Sequence, residues 1–460
     1  MTTEVFRVGN GAGFSGDRVD APGPVVETLI ARGGPAALFF EVLGERTVAL
    51  AQLEKRRDPS RGYEPMLERL LEPVLAKCAR HGISIVGNFG AANPPGAARV
   101  IGALAKRLGL PDLRIATIEG DDIRGRIDLG EHAVYEADAS LEPQTGELVS
   151  ANAYLDARPM IEALAQGAQV VVAGRTGDPS LALAPLAHHF GWQADDWQRL
   201  AAGALAGHLL ECGAQVTGGY FYDPGFKDVP DPANIGFPIA EVTADGALTI
   251  TKADNTGGLV NLQTVKEQLL YEIHDPSCYI TPDVTLDLNG VTLRESGRDR
   301  VEVSGLRGMP APERIKVTAC FEGGLLGEGE VSVAGPNCLA RARMAAQVLR
   351  ERVKLRALPV RVRVDLIGVG SVHDSDDGAL WRGYAGPEPV EVRVRIAASG
   401  LKADDVDQAA REALALLCCG PAGNGGARWR TTPRIRTQSY LVPRSAVAHR
   451  VTLATAKELA

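Results

Sequence analysis

The chain has 460 residues, 45% of them hydrophobic and only 5% aromatic, which is enough apolar material for two or three domains of about 100–200 residues each. Its 49 basic and 57 acidic side chains give a formal charge of -8. That balance excludes broad nucleic-acid binding and an electrostatic membrane anchor, though not a small anion held in a local pocket.

In chain order, VFRV (5–8) reads as a strand, followed by a Gly-rich loop and the helical VVETLIARG (25–33). AALFFEVLG (36–44) is a second strand. The amphipathic Leu spacing of residues 63–82 predicts a helix with Gly82 as C-cap. ISIVGNFG (83–90), a helix through ARVIGALAKRLG, and RIATIEGDD (114–122) continue the alternation. Then come a helix over 158–169, the strand VVVAG (170–174), and helices over 180–192 and 197–213. Residues 218–238 form a long Gly-, Tyr-, Asp- and Pro-rich loop of the kind that carries function.

Continuous apolar strands alternating with helices predict an α/β protein with a mostly parallel sheet flanked by helices. The pattern changes near 355. PVRVRVDLIGVG (359–370) and PVEVRVRIAASG (389–400) alternate as half-exposed strands, with a helix over 404–420 and further strand in 435–454. This predicts a small C-terminal α+β domain over 356–460 beside a core domain over 1–355. Residues 360–460 hold 14 basic and 11 acidic side chains, against 35 and 46 upstream.

The seven cysteines, at 78, 212, 278, 320, 338, 418 and 419, are odd in number and contain no C-x-x-C pair. Neither a disulfide framework nor a zinc ribbon is expected. The opening MTTEVFRVGNG lacks a basic stretch before an apolar run, and no segment approaches the about 20 apolar residues that span a bilayer. A cytoplasmic location without a membrane partner is the expectation.

Candidate site residues lie where a parallel sheet would gather them. The loop after the first strand carries Asn10, Gly11, Gly13 and Asp17, and Gly11, Gly13 and Gly16 spell G-x-G-x-x-G. The third glycine does not open a helix, so a dinucleotide site is disfavoured against a general ligand loop or a tight turn. Asn88 and Asn93 follow ISIV. Glu119, with Asp121 and Asp122, follows RIATI, and Arg175 and Asp178 follow VVVAG. Each has a bland alternative as cap or solvated turn, and Asp178 before Pro179 and Ser180 suits an N-cap. Converging on one crevice, they would form a site.

Lys252 with Gly257 and Gly258 offers an anion cradle or a plain strand-to-helix turn, and Thr264 with Glu267 fits a capping box. His274 and Asp275 suggest acid–base work or an ordinary helix terminus. No metal is expected: His188 and His189 point apart on a helix, and His208 with Cys212 lacks a third ligand. Gly420–Gly426 before Arg428, Arg430, Arg434 and Arg436 reads as a helix stop and a strand with solvated arginines, or as a phosphate site.

Strings such as GNGAGFSGD (9–17), VVVAGRTGDPSLALAPLAHHFGW (170–192), AAGALAGHLLECGAQVTGGYF (201–221), VKEQLLYEIHDPSCYITPDV (265–284) and GPAGNGGAR (420–428) resemble the acyclic terpene utilisation (AtuA) family of bacterial proteins. The resemblance covers nearly the whole chain and implies that the C-terminal part is a ferredoxin-like domain. It also implies a setting among enzymes that activate, oxidise, carboxylate and hydrate acyl-CoA thioesters. No residue roles come with it.

The leading expectation is a catabolic enzyme on a branched or unsaturated acyl-CoA, acting by hydration, isomerisation, carbon–carbon cleavage or hydrolysis. A CoA thioester would be its substrate, no further cofactor would be needed, and a homo-oligomer is expected. Glu119, Asp178, His274 and Asp275 are the catalytic candidates. Asn10, Gly11, Gly13, Asp17, Asn88, Asn93, Arg175, Lys252, Gly257 and Gly258 are the binding candidates. A non-catalytic scaffold for acyl-CoA enzymes and a nucleotide-dependent enzyme using the first loop are the alternatives.

Overall fold

A computed structural model describes residues 4–132, 134–135 and 146–460. Two compact units emerge. The first comprises the described residues up to 135, Val149–Cys320 and Thr437–Ala460; the second comprises 146–148 and Phe321–Arg436. The chain touches the second unit briefly at 146–148, builds most of it from Phe321 to Arg436, and returns to the first unit from Thr437.

The first unit is organised by a sheet of ten strands. At its centre are β1 (Val5–Ala12), β2 (Ala36–Phe40), β3 (Ser84–Gly87), β4 (Arg114–Glu119) and, after the separate strand β5 (Leu148–Ala153), β6 (Val170–Val172). Their spatial order is β1-β2-β3-β6-β4, and all four pairings are parallel. AALFF in β2 and VVV in β6 are buried throughout, as strands covered on both faces must be. Leu38 and Phe40 pack into one apolar cluster and Ala37 and Phe39 into the other, so the pleat divides the core between the two faces.

Pairing brings Ala12 beside Phe40, Phe40 beside Gly87, and Gly87 beside Val172. The residues that follow these four strands therefore emerge along one edge.

The expected mostly parallel sheet with a small ferredoxin-like domain is overturned. Beyond β1 the sheet continues through Pro238–Thr243, Leu248–Lys252, Arg300–Ser304 and Thr292–Gly297, and beyond β4 through Arg450–Thr455. Each of these joins is antiparallel, so the ten-stranded sheet is mixed. Alternation with helices breaks down between Pro238 and Ser304, where hairpin-linked strands extend the sheet. The later hairpins need no crossover helix and carry polar, half-exposed faces.

The second unit is built on a five-stranded sheet ordered Arg361–Ile367, Glu391–Gly400, Arg314–Ala334 and Asn424–Pro443, with β5 pairing off that path on Arg314–Ala334. Its inner pairings are antiparallel. The helices Cys338–Leu355 and Ala403–Cys419 bury Leu349, Ala413 and Leu416 with Val394 and Ile396 of the sheet. The first 7 residues of the 21-residue strand Arg314–Ala334 belong to the first unit. No described helix is long and apolar enough to cross a membrane.

A carboxylate cluster around Arg175

Each central strand of the first unit delivers a polar side chain as it ends. The β1–β2 register shifts between Asn10 and Ala12, and a Cβ at Gly11 would meet the Phe40 ring at 2.5 Å, so only glycine passes there. Asn10 is fully buried and donates through Nδ2 to the Leu210 carbonyl at 2.9 Å. After β2 comes Glu41, whose Oε1 accepts from Leu43 N–H and from Asn88 Nδ2, each at 2.9 Å. Asn88, after β3, accepts Val42 N–H on its Oδ1 at 2.7 Å. One asparagine thus holds the Glu41 carboxyl and the turn that carries it.

Arg175 follows β6 and is 2% exposed. Its backbone N–H donates to Asp121 Oδ2 at 2.9 Å, and that oxygen also accepts from Asn152 Nδ2 at 2.7 Å. The guanidinium donates to Asp178 Oδ1 at 2.5 Å and to the Leu43 carbonyl, and lies 4.1 Å over the Tyr154 ring. Such a planar, always charged group is suited to organising several acids at once.

Glu211 closes the cluster from the helix Trp197–Glu211. Gly207 of that helix approaches the Pro179 backbone so closely that a Cβ would meet Pro179 O at 2.4 Å. This brings the last helical turn against the segment bearing Asp178. Glu211 Oε1 lies 3.3 Å from His208 Nδ1, and His208 Nε2 lies 3.0 Å from the Gln268 carbonyl. A carbonyl only accepts, so Nε2 carries the proton and Nδ1 is left as acceptor for Glu211 or for the Tyr279 hydroxyl, 3.4 Å away.

Burial sets the protonation states. Desolvation, reinforced by Asp178, pushes the Glu41 carboxyl up to about 8 despite Arg175 and its hydrogen bonds. Desolvation likewise pushes Glu211 well above its ordinary value, with Asp178 adding to it. Asp178 is raised by desolvation but opposed by Arg175. His208 is lowered by burial to about 4 and is a neutral imidazole. For Glu45, desolvation is outweighed by Arg175, the Tyr154 hydroxyl and Lys316, which hold it down at about 2. Three acids around one guanidinium cannot all ionise cheaply, so the cluster retains protons at neutral pH beside a charged carboxylate.

Solvent reaches this set through Asp178, Glu45 and Lys316, whose side chains are 29%, 40% and 42% exposed. Asn10 Oδ1, Asn152 Oδ1, Arg175 Nε, Thr176 Oγ1 and Glu211 Oε2 are buried without a hydrogen-bond partner among the described residues. Unsatisfied buried polar atoms are rare, and their concentration here singles the cluster out as the candidate site.

Of the residues singled out from sequence, Asn10, Asn88, Arg175 and Asp178 meet in this cluster. Asp178 does not cap its helix; Pro179 stands at the N-cap position and the Asp178 carboxylate turns to Arg175. Gly13 abuts it from behind: a Cβ there would meet Gly213 N at 2.4 Å and Cys212 C at 2.5 Å. Asp17 accepts Gly13 N–H at 2.8 Å and folds the loop upon itself. A side chain at Gly11 or Gly13 would collide with neighbouring protein, so close packing alone accounts for both glycines.

The others lie apart. Asn93 caps the helix Pro94–Arg107, accepting Gly96 N–H at 3.1 Å. Glu119 pairs with Arg450 across the edge strands. Lys252 donates to the Thr256 carbonyl at 2.8 Å, and Gly257 and Gly258 are pressed against Asp231 O and Thr217 O. His274 and Asp275 are exposed in a turn that Asp275 closes through Ser277. The helix near Thr264 begins at Leu262, capped by Asn261, with Thr264 rather than Glu267 completing the box.

Sequence reasoning missed Glu41, Glu45, Tyr154, Glu211 and Lys316, and treated His208 only as a metal ligand. Two signals were present: a lone glutamate within the apolar run ALFFEVL, and an acid in the last turn of a helix, where the dipole disfavours it.

The first unit is thus a mixed α/β unit with a cluster of buried carboxyls at the ends of its parallel strands, the kind of place where candidate sites are sought. The chain matches the family described as acyclic terpene utilisation family protein AtuA over residues 6–453, and it belongs to that family. No curated protein and no solved structure matches it.

Proposed function

We propose that this protein is an enzyme of acyclic terpene breakdown that moves protons on a branched, α,β-unsaturated acyl-CoA, hydrating or isomerising its double bond. The observation that carries the reading is the grouping of Glu41, Asp178 and Glu211 around Arg175. Proton shuttling works best when acid and base lie near the working pH, and Glu41 at about 8 meets that condition whereas Glu45 at about 2 does not.

In this reading Asp178, whose charged form Arg175 favours and which is open to solvent, is the base. It takes a proton from the substrate carbon in isomerisation, or from the water that adds to the β-carbon in hydration. Glu41 delivers its proton to the α-carbon, and the two carboxyls re-equilibrate through solvent. Lys316 at the mouth balances the charge that gathers on the thioester oxygen. Family membership supports the substrate class, because acyclic terpene acids are degraded as thioesters.

The test is incubation with β-methyl-branched, α,β-unsaturated acyl-CoA esters in D2O, followed by mass spectrometry. Deuterium uptake or addition of water, lost in Glu41→Gln and Asp178→Asn, is the expected result. A folded protein that produces neither across the panel overturns the proposal.

A further inference from the structure

Near one end of the second unit's sheet lies a groove of about 780 Å³ that the proposed chemistry does not use. The two inner strands contribute Gly323, Ser399 and Gly400 to it, while the outer strands contribute Arg361 on one side and Arg434 and Arg436 on the other. Lys402 stands beside them, and Asp405 is the one acid in the lining. Leu358 and Leu401 add an apolar shelf, Leu401 being 88% exposed.

What distinguishes these cations is their lack of partners. Elsewhere in Phe321–Arg436 arginines are bonded: Arg352 and Arg356 to Glu412, Arg363 and Arg395 to Asp365, Arg393 and Arg428 to Glu330, and Arg430 to Glu328. Arg341, Arg343 and Arg350 donate to carbonyls, and Arg382 and Arg411 pair with Asp377 and Asp407. Among the described residues, Arg361, Arg434 and Arg436 form no side-chain hydrogen bond or ion pair, nor does Lys402. Arginines that are merely solvated would scatter over the surface. These converge on one concavity, in a chain of net charge -8 with acids to spare. Like charges held together repel, and an anion with several phosphates relieves that repulsion while the guanidinium forks grip its oxygens.

We infer that this groove binds a ligand carrying several phosphates and a flat ring, and, resting on the acyl-CoA reading above, that the ligand is the phosphoadenosine end of a CoA thioester. The ring lies on the Leu358–Leu401 shelf and the phosphates face Arg361, Arg434, Arg436 and Lys402. The volume suits a nucleotide-sized group.

Calorimetric titration of the intact protein with CoA, dephospho-CoA, ADP and inorganic phosphate tests this, in the parent and in an Arg434→Ala/Arg436→Ala variant checked for folding by circular dichroism. CoA binding tighter than that of the other three, weakened at least about tenfold in the variant and less salt-dependent there, is expected. Unaltered CoA affinity in the variant overturns the groove, as does ADP or phosphate binding as tightly as CoA. CoA affinity left unaltered in the variant, in a protein that turns over an acyl-CoA, sinks the groove alone. Arginine-dependent CoA binding without turnover of any thioester sinks the enzyme reading and leaves the groove standing.

Discussion

Asn88 Nδ2 donates to Glu41 Oε1 at 2.9 Å, joining the ends of two neighbouring parallel strands through one buried bond. Glu41 is thereby fixed beside Asp178 and Arg175, whose opposing influences are written into its raised carboxyl. Replacing Asn88 by Leu removes the donor and strands both the carboxyl and Val42 N–H. A loss of about 1–3 kcal/mol in urea unfolding is expected, with a larger proportional loss of activity than of stability.

Arg175 is the main group that favours the ionised form of Asp178, with Lys316 adding to it. Arg175→Met should cost on the order of 3–5 kcal/mol in stability, because the acids are left uncompensated. Activity should fall at least about 100-fold. Arg175→Lys should recover part of the stability and little of the activity, since a point charge cannot keep the Leu43 carbonyl and Asp178 together. Unfolding and kinetics on both variants check this.

The pH dependence follows from the sign of the Glu41 shift. Its folded value, about 8, lies above the ordinary 4.5, so the folded state binds the extra proton between those values. Its contribution to stability is complete below about 4.5 and is lost as pH rises through about 8. Glu41→Gln should therefore gain stability relative to the parent as pH rises from 5 to 9, with a limiting slope of about 1.4 kcal/mol per pH unit. Urea midpoints across that range measure it, and a difference that does not change with pH contradicts it.

Gly13 has no room for a side chain against the Gly213 and Cys212 backbone. Gly13→Ala must shift main-chain atoms next to Glu211 and should cost about 1–3 kcal/mol. Thermal unfolding of the variant reads this out. A neutral Gly13→Ala would mean that the loop and the Glu211 turn are not in contact.

Glu119→Gln should change little. Its ion pair with Arg450 is partly exposed at the sheet edge, and such pairs are worth about 0–1 kcal/mol. Unchanged kinetics and stability are expected in parallel assays.

Much of the first half of the fold is legible in the sequence, because apolar runs such as AALFF and VVV have no other use than a covered parallel sheet. The same logic gathers Asn10, Asn88, Arg175 and Asp178, since parallel strands must end side by side. It fails for Tyr154 and Lys316, which face each other through a pairing between segments far apart in sequence. It fails too for Glu119, whose strand ends at the same edge but whose side chain is drawn to Arg450 by an antiparallel neighbour from the chain's last residues. Glu211 needed the packing of Gly207 on Pro179 to be known first.

The most direct measurement is a 13C NMR titration of glutamate side-chain carboxyls in the intact protein, with Glu41→Gln and Glu211→Gln used for assignment. One carboxyl titrating near 8 and absent from Glu41→Gln, and a second raised well above the ordinary carboxylate range and absent from Glu211→Gln, is the expected result. Glutamates that all titrate close to 4.5 would contradict a proton-holding cluster around Arg175.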